Sequence, residues 1–262
     1  MINHPTNQER TIEYLNKFNR EKTIKYLIRE DRPVIFDVGA NNGSSAKDFK
    51  AWWPNGIIYC FEPQEECWSE LNTLGKKFND NSIIVNKCAA GNKPSKQEKF
   101  FTHDITTGQS GFNKINLHSK DSIYLNKLKD KNNYDELKKY KGSLNHERRV
   151  EIIRLDEYME KFNIGNVDIL KIDTQGYEPE VLDGFGNKLS DIDLVIIELM
   201  FYDYYERSLS FTDIEKYLLP AGFNFYDISH ISKNPMNGRT DWVDVIYINN
   251  RVIRCSNLSK TK

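Results

Sequence analysis

Val34-Ile35-Phe36-Asp37-Val38-Gly39-Ala40-Asn41-Asn42-Gly43 is a short apolar run interrupted by one acid and closed by a glycine-bearing turn. Such a run between breakers suits a strand buried on both faces, as in a parallel sheet. Gly39 lets the backbone come close to a ligand, and the helix expected from Ser44 offers unpaired N–H groups to an anionic group. Upstream, Arg32-Pro33 ends a helical pattern, because proline disfavours helix in the residue before it. That pattern (Ile12, Leu15, Phe18, Ile24, Leu27, Ile28) predicts one helix from Gln8 to Glu30.

Downstream, the spacing predicts a helix over Ser44 to Trp52, a strand over Gly56 to Phe61, a helix over Glu65 to Phe78 and a strand over Ile83 to Cys88. Strand–helix alternation implies parallel strands joined by right-handed crossovers. Further strands are expected at Asp168 to Ile172 and Leu194 to Leu199, with a helix at Asp213 to Leu219 before Pro220. Asn224 to Ile228 and Val243 to Ile248 alternate around the turn-rich stretch Lys233 to Arg239, an antiparallel hairpin at a sheet edge. The expected organisation is an N-terminal helical extension (1–32), one doubly wound α/β domain (33–250) and a tail (251–262). Residues 102–149 interrupt it with weak periodicity. Ten basic residues against five acids between Lys114 and Arg149 fit a solvated insertion or a lid favouring anionic acceptors.

Composition narrows the class. With 37 basic and 38 acidic side chains in 262 residues, no global positive field exists to hold a nucleic-acid backbone or an anionic membrane. The longest apolar runs, such as Leu194 to Ile197, fall far short of the roughly 18 residues a membrane span needs. Cys60, Cys67, Cys88 and Cys255 form no C-x-x-C pair and have no histidine at zinc spacing. They read as reduced core thiols, and the expected location is the cytoplasm.

Glu62 narrows the ligand. It ends the second strand in Cys-Phe-Glu-Pro, 25 residues after Asp37. A carboxylate there can accept hydrogen bonds from both hydroxyls of a nucleoside ribose. A dinucleotide site needs G-x-G-x-x-G for three close backbone approaches to its pyrophosphate, but the turn here reads Gly39-Ala40-Asn41-Asn42-Gly43-Ser44. It suits a smaller anion, such as an amino-acid carboxylate, and S-adenosylmethionine better than a nicotinamide cofactor.

Asp37 to Gly43 (Asp-Val-Gly-Ala-Asn-x-Gly), Phe61 to Pro63 (Phe-Glu-Pro) and Ala89 to Gly91 (Ala-Ala-Gly) resemble the FkbM family of S-adenosylmethionine-dependent methyltransferases. Arg154 to Tyr158 (Arg-Leu-Asp-Glu-Tyr), Leu170 to Gly184 and Ile196 to Glu198 extend the resemblance. It covers roughly Pro33 to Asn249. It implies a seven-stranded, mostly parallel, Rossmann-like class I methyltransferase fold and transfer of methyl to an oxygen, commonly of a sugar or a glycosylated or polyketide product. It further implies that Asp37, Gly39, Asn41 and Gly43 line the methionine end of the cofactor, that Glu62 holds the ribose and that Pro63 packs near the adenine. Many relatives place an acid after the third strand for the adenine amine, and Lys87-Cys88-Ala89-Ala90 has none. Backbone groups near Ala89, or the loop at Gln109 and Ser110, would then serve.

Asp173 is the expected base, at the carboxyl end of the fourth strand beside the topological switch point. A hydroxyl is a poor nucleophile at neutral pH, so a placed base assists. A cofactor-amine contact is the alternative role. Glu198 ends the next strand, and the two acids could hold magnesium, a hard cation that prefers oxygen, although separate acceptor contacts are the simpler reading. His146, with His103 and His230, is an alternative base. The aromatic cluster Phe201, Tyr202, Tyr204 and Tyr205 offers sugar stacking or ordinary core packing. Glu178 and Glu180 suit the helix dipole of the segment that follows Asp173. Expected partners are a sugar or glycoconjugate acceptor, phosphorylated or nucleotide-linked, with homo-oligomerisation left open. Three alternatives stand beside carbohydrate O-methylation: a nicotinamide-dependent nucleotide-sugar oxidoreductase, a methyltransferase with a non-sugar acceptor and a non-catalytic binding module.

Overall fold

The apolar runs of the sequence become the strands of one seven-stranded sheet. The structure, a computed structural model, describes residues 5–78, 82–119, 134–235 and 237–255. In chain order these begin with α1 (Asn7–Lys17), α2 (Arg20–Leu27), β1 (Val34–Val38), α3 (Ser44–Trp52), β2 (Ile57–Phe61), α4 (Glu65–Lys77) and β3 (Ile83–Asn86). Three strands and two helices follow: β4 (Ala89–Ala90), β5 (Ser95–Thr102), α5 (Tyr134–Gly142), β6 (His146–Ile153) and α6 (Leu155–Lys161). The chain then runs through β7 (Val167–Ile172), α7 (Glu178–Asp183), β8 (Ile192–Met200), α8 (Phe211–Leu218), β9 (Phe223–Lys233), β10 (Thr240–Asn249) and α9 (Asn250–Cys255).

The main sheet has the order β3-β2-β1-β7-β8-β10-β9. From β3 to β8 every pairing is parallel, and β10 pairs antiparallel with β8 and β9. This is the seven-stranded, doubly wound arrangement expected. Because helices cover both faces, a central strand must be apolar throughout, and all six residues of β7 are buried. On one face Phe36, Leu170, Val195 and Val245 pack beneath α6, α7 and α8. On the other, Ile35, Ile169, Leu194 and Ile246 pack with Ile24 and Leu27 of α2, Phe49 of α3 and Leu71 of α4. Each strand alternates between these two clusters, as a two-residue side-chain period requires.

Several expectations are corrected. The single helix from Gln8 to Glu30 is two helices, because Phe18 is extended (φ −120°, ψ 145°) and the Asn19 side chain accepts from Lys22 N at 2.8 Å to start α2. The strand expected over Ile83 to Cys88 stops at Asn86, and Ala89 and Ala90 turn into a second sheet. That sheet, β4-β6-β5, is an addition to the expected architecture: β5 and β6 are rich in charged residues, and their ladder joins Glu98↔Val150 and Thr102↔His146. Part of the 102–149 insertion, residues 120–133, lies outside the described residues, as do residues 256–262 of the tail. The described parts of the insertion pack a small cluster of Ile115, Tyr140 and Leu144 with Tyr202, Tyr204 and Tyr205. These three tyrosines of the aromatic cluster are 5%, 1% and 2% exposed, so they are core and offer no open face for a sugar to stack on. Among the described residues, no helix is long and apolar enough to cross a membrane.

Candidate active site

β1 is flanked by β2 on one side and β7 on the other. Ligands of open parallel sheets bind outside the carboxyl ends of such strands. A cleft opens there, and Gly39, Asn41, Glu62, Pro63, Ala89, Ser110 and Asp173 line it. Seven of the cofactor positions expected from sequence therefore meet on one cavity.

Gly39 is required twice over. Its φ is +81°, and a Cβ there would sit 1.9 Å from the Asp173 carbonyl oxygen. Asp173 N donates to Val38 O at 3.0 Å, so β7 runs on against the turn itself. The Gly39 turn and Asp173 thus come from backbones in direct contact. Glu62, only 2% exposed, accepts from Asn41 N and from Gln64 N, both at 2.8 Å, one on each carboxylate oxygen. Burial raises its pKa, and those N–H donors oppose the shift. Two of about four acceptor positions are used this way. Asn41, itself at φ +46°, accepts at Oδ1 from Thr107 Oγ1 at 2.7 Å and from Cys67 Sγ at 3.1 Å. It ties the insertion to α4 across the cleft.

Asp173 faces the cleft with its side chain one-third exposed. Its Oδ2 lies 3.3 Å from Lys171 Nζ, and its Oδ1 accepts from Gln175 Nε2 at 2.7 Å. Gln175 Nε2 also donates to Glu198 Oε2 at 3.0 Å, and Tyr205 OH donates to Gln175 Oε1 at 2.7 Å. Burial pushes the Glu198 carboxyl well above its ordinary value, and the charge of Asp173 adds to the effect. An amide nitrogen that donates to both acids occupies the place a shared cation would take, which argues against magnesium on Asp173 and Glu198. Among the described residues, no group of three or more metal-binding side chains is placed to hold an ion.

Six expected positions fall elsewhere. Asp37 is fully buried below the cleft, level with Lys171 on β7 and 3.5 Å from its Nζ. Burial works against charge on Asp37 and raises its pKa, while Lys171 pulls the other way. Burial also opposes charge on Lys171, but Asp173 and Asp37 outweigh it and hold the ammonium above its ordinary value. Gly43 caps α3 and faces Leu71 and Leu74. Glu198 reaches the cleft only through Gln175. His146 starts β6, 45% exposed beside Asp104, and does not line the cavity. His103 is buried with its pKa lowered to about 4, chiefly by desolvation, and its Nδ1 accepts from Asn145 N at 3.0 Å. His230 lies on the edge strand β9 and is exposed.

Lys171 and Gln175 join the site without having stood out in the sequence. A lysine inside an apolar buried strand needs a paired acid, and Ile-Leu-Lys-Ile-Asp carries that signal for Lys171. Glu178 does more than complement the helix dipole. It is 1% exposed: its Oε1 accepts from Thr174 N, Thr174 Oγ1 and Gly176 N, its Oε2 has no partner among the described residues, and burial lifts its pKa to about 7. Glu180, by contrast, pairs with Arg207 at 2.8 Å, and neither its partner nor the burial of Glu178 is visible in the sequence.

The chain has recognisable relatives. Residues 37–225 match the Methyltransferase FkbM domain. Methyltransferase 1 of Beauveria bassiana is 26% identical over 171 residues, covering 64% of this chain and 65% of its own length. The 2-O-methyltransferase NoeI of Sinorhizobium fredii is 24% identical over 190 residues, or 70% of each chain. The crystal structure of methyltransferase FkbM from Methylobacillus flagellatus superposes with a TM-score of 0.52 at 16% identity, over 90% of this chain but half of that one. At that identity the likeness establishes the fold alone. The family match starts at Asp37 and runs through β2, β7 and β8 into β9, taking in every strand end that builds the cleft. On that extent the chain belongs to the FkbM family of methyltransferases.

Proposed function

We propose that this protein transfers the methyl group of S-adenosylmethionine to a hydroxyl oxygen of a carbohydrate. The observation that carries the reading is Glu62: a buried carboxylate at the tip of β2, on the same cleft as the Gly39 turn and Asp173. The cleft also contains Ser110, whose Oγ is buried without a hydrogen-bond partner among the described residues, a polar atom that a ligand can satisfy. These groups fit a nucleoside with an amino-acid end. Glu62 would hold the ribose hydroxyls, the Gly39–Asn41 turn the amino-acid end, and Pro63, Ala89 and Ser110 the base.

The cofactor supplies an electrophilic methyl group on sulfur. The protein's part is to align the acceptor oxygen with it and to take the hydroxyl proton. Asp173 is the exposed carboxylate of the cleft and serves as that base. The 2-O-methylation named for the Sinorhizobium relative favours oxygen as the acceptor atom. A sugar, phosphorylated or nucleotide-linked, suits the excess of basic over acidic residues between Lys114 and Arg149.

Thermal unfolding should shift upward with S-adenosylhomocysteine and stay put with NAD, because a ligand that binds only the folded state stabilises it by mass action. A shift with NAD alone would return the nicotinamide oxidoreductase to first place. Glu62→Ala should weaken S-adenosylhomocysteine binding by about 1.5–3 kcal/mol, the usual loss for a hydrogen bond to a charged group. Unchanged affinity in calorimetry would remove Glu62 from the site. Transfer of tritiated methyl to a panel of hexoses, hexosamines and nucleotide sugars tests the acceptor class.

A further inference from the structure

We propose that Gln175 is a positioning residue for the transfer step: its amide aims the Asp173 carboxylate into the cleft and keeps Glu198 beside it, while Tyr205 fixes the amide itself. The inference rests on the methyl-transfer reading above and assigns a role to a residue outside its base and cofactor contacts.

Four observations converge on Gln175. Its backbone sits in the left-handed region at φ +57°, where a glutamine is strained and persists only if its surroundings hold it there. Both amide hydrogens are used, on Asp173 Oδ1 at 2.7 Å and Glu198 Oε2 at 3.0 Å, and the amide oxygen accepts from Tyr205 OH at 2.7 Å. That partner set gives the side chain one orientation, with the amide nitrogen toward Asp173 and Glu198 and the amide oxygen toward Tyr205. Tyr205 is 2% exposed and wedged among Ile115, Tyr202 and Tyr204, so its hydroxyl is held in place, shared between the nearer Gln175 Oε1 and Gln109 O at 2.9 Å. The insertion supports the backbone: Asn113 Nδ2 donates to Gln175 O at 3.3 Å, and a Cβ on Gly111 would come within 3.3 Å of Gln175 Cβ.

Asp173 is thereby gripped at both oxygens, by Gln175 on one and Lys171 on the other. A carboxylate gripped this way has one direction left in which to meet a substrate. Without the amide, Asp173 Oδ1 and Glu198 Oε2 would lose their shared donor, and Asp173 would turn. Misplacement of a reacting group by about 1 Å can cost on the order of 100-fold in rate.

The experiment compares wild type with Gln175→Leu, Gln175→Glu and Tyr205→Phe. It measures S-adenosylhomocysteine affinity by calorimetry and single-turnover transfer of tritiated methyl to the hexose, hexosamine and nucleotide-sugar panel. It also records the ¹³C resonance of the Asp173 side-chain carboxyl with S-adenosylhomocysteine bound. Gln175→Leu should lose about 100-fold in transfer while binding S-adenosylhomocysteine within about threefold of wild type, the binding serving as the check on folding. Its Asp173 carboxyl resonance should move from the wild-type position as the hydrogen bond to Oδ1 is lost, and Gln175→Glu should lose transfer as well. Tyr205→Phe should move the same two readouts in the same direction by less. Transfer within threefold of wild type in Gln175→Leu, or an unmoved Asp173 resonance in both Gln175→Leu and Tyr205→Phe, overturns the proposal. If Gln175→Leu fails to fold, Tyr205→Phe decides alone. If wild type methylates nothing in the panel, the carbohydrate reading falls, and the Asp173 resonance still decides the role of Gln175.

Discussion

Two lysine–carboxylate pairs join neighbouring strands at nearly the same distance. Lys171 Nζ lies 3.5 Å from Asp37 Oδ1 between β7 and β1, and Lys99 Nζ lies 3.2 Å from Glu147 Oε2 between β5 and β6. The first pair is 10% and 0% exposed, the second 54% and 43%. Geometry alone ranks them as equals. Their surroundings do not, because water screens the exterior pair and leaves the interior one to its protein partners. The interior pair is therefore costly to break singly, whereas the exterior pair contributes little.

Breaking the interior pair gives the largest expected effect. Lys171→Met should destabilise by about 3–5 kcal/mol in urea titration, because it leaves the Asp37 carboxylate buried and unpaired. Adding Asp37→Leu should recover much of that loss, since a buried pair replaced whole by apolar groups is often neutral. A single-variant cost under about 1 kcal/mol would make the two pairs alike and remove the contrast.

Glu178 sharpens the comparison as a buried acid with no salt-bridge cation among the described residues. Its folded pKa of about 7 exceeds the ordinary 4.5, so the folded protein keeps the proton longer than the unfolded chain does. Its contribution to stability is full below about pH 4.5 and drains away as pH rises through 7. Glu178→Gln keeps an acceptor for Thr174 and Gly176 and cannot ionise. Relative to wild type it should gain about 2–3 kcal/mol between pH 4.5 and 7.5, since each tenfold difference in proton affinity corresponds to roughly 1.4 kcal/mol. Parallel stability curves for the two proteins would show that Glu178 does not titrate in this window.

The exterior pair should return the smallest effect. Lys99→Ala should change stability by less than about 0.5 kcal/mol, with little dependence on salt. A cost above about 1 kcal/mol would mean that the small sheet depends on its charge ladder as the main sheet depends on Lys171.

The same contrast explains what was legible in the sequence. Val34 to Val38 and Ser44 to Trp52 appear in the structure as read, because a buried parallel strand and an amphipathic helix each leave a hydrophobic period. Glu62 and Asp173 were legible because acids at strand tips stand out against apolar runs. Ser95 to Thr102 and His146 to Ile153 pair as strands through backbone hydrogen bonds while their side chains stay largely polar and exposed, so no apolar alternation marks them. Gln175 was hidden for another reason. Its role depends on Asp173, Glu198 and Tyr205 meeting in space, and nothing in Asp-Thr-Gln-Gly-Tyr reports where Tyr205 lies.

The position of β1 carries a consequence in time. On one side it pairs with β2, only a short helix away, but on the other its partner is β7, and the Val34 N–H is capped by Asp168 Oδ2, 134 residues further along the chain. At a synthesis rate of about 5–20 residues per second, that separation of 134 residues amounts to roughly 7–27 s during which a nascent β1 has one open edge. Strands β1 to β3 can pair meanwhile, yet Asp37 must wait for Lys171 before its charge is met. Emergence of β7 from the ribosome thus sets the earliest moment at which the cleft can close around a ligand.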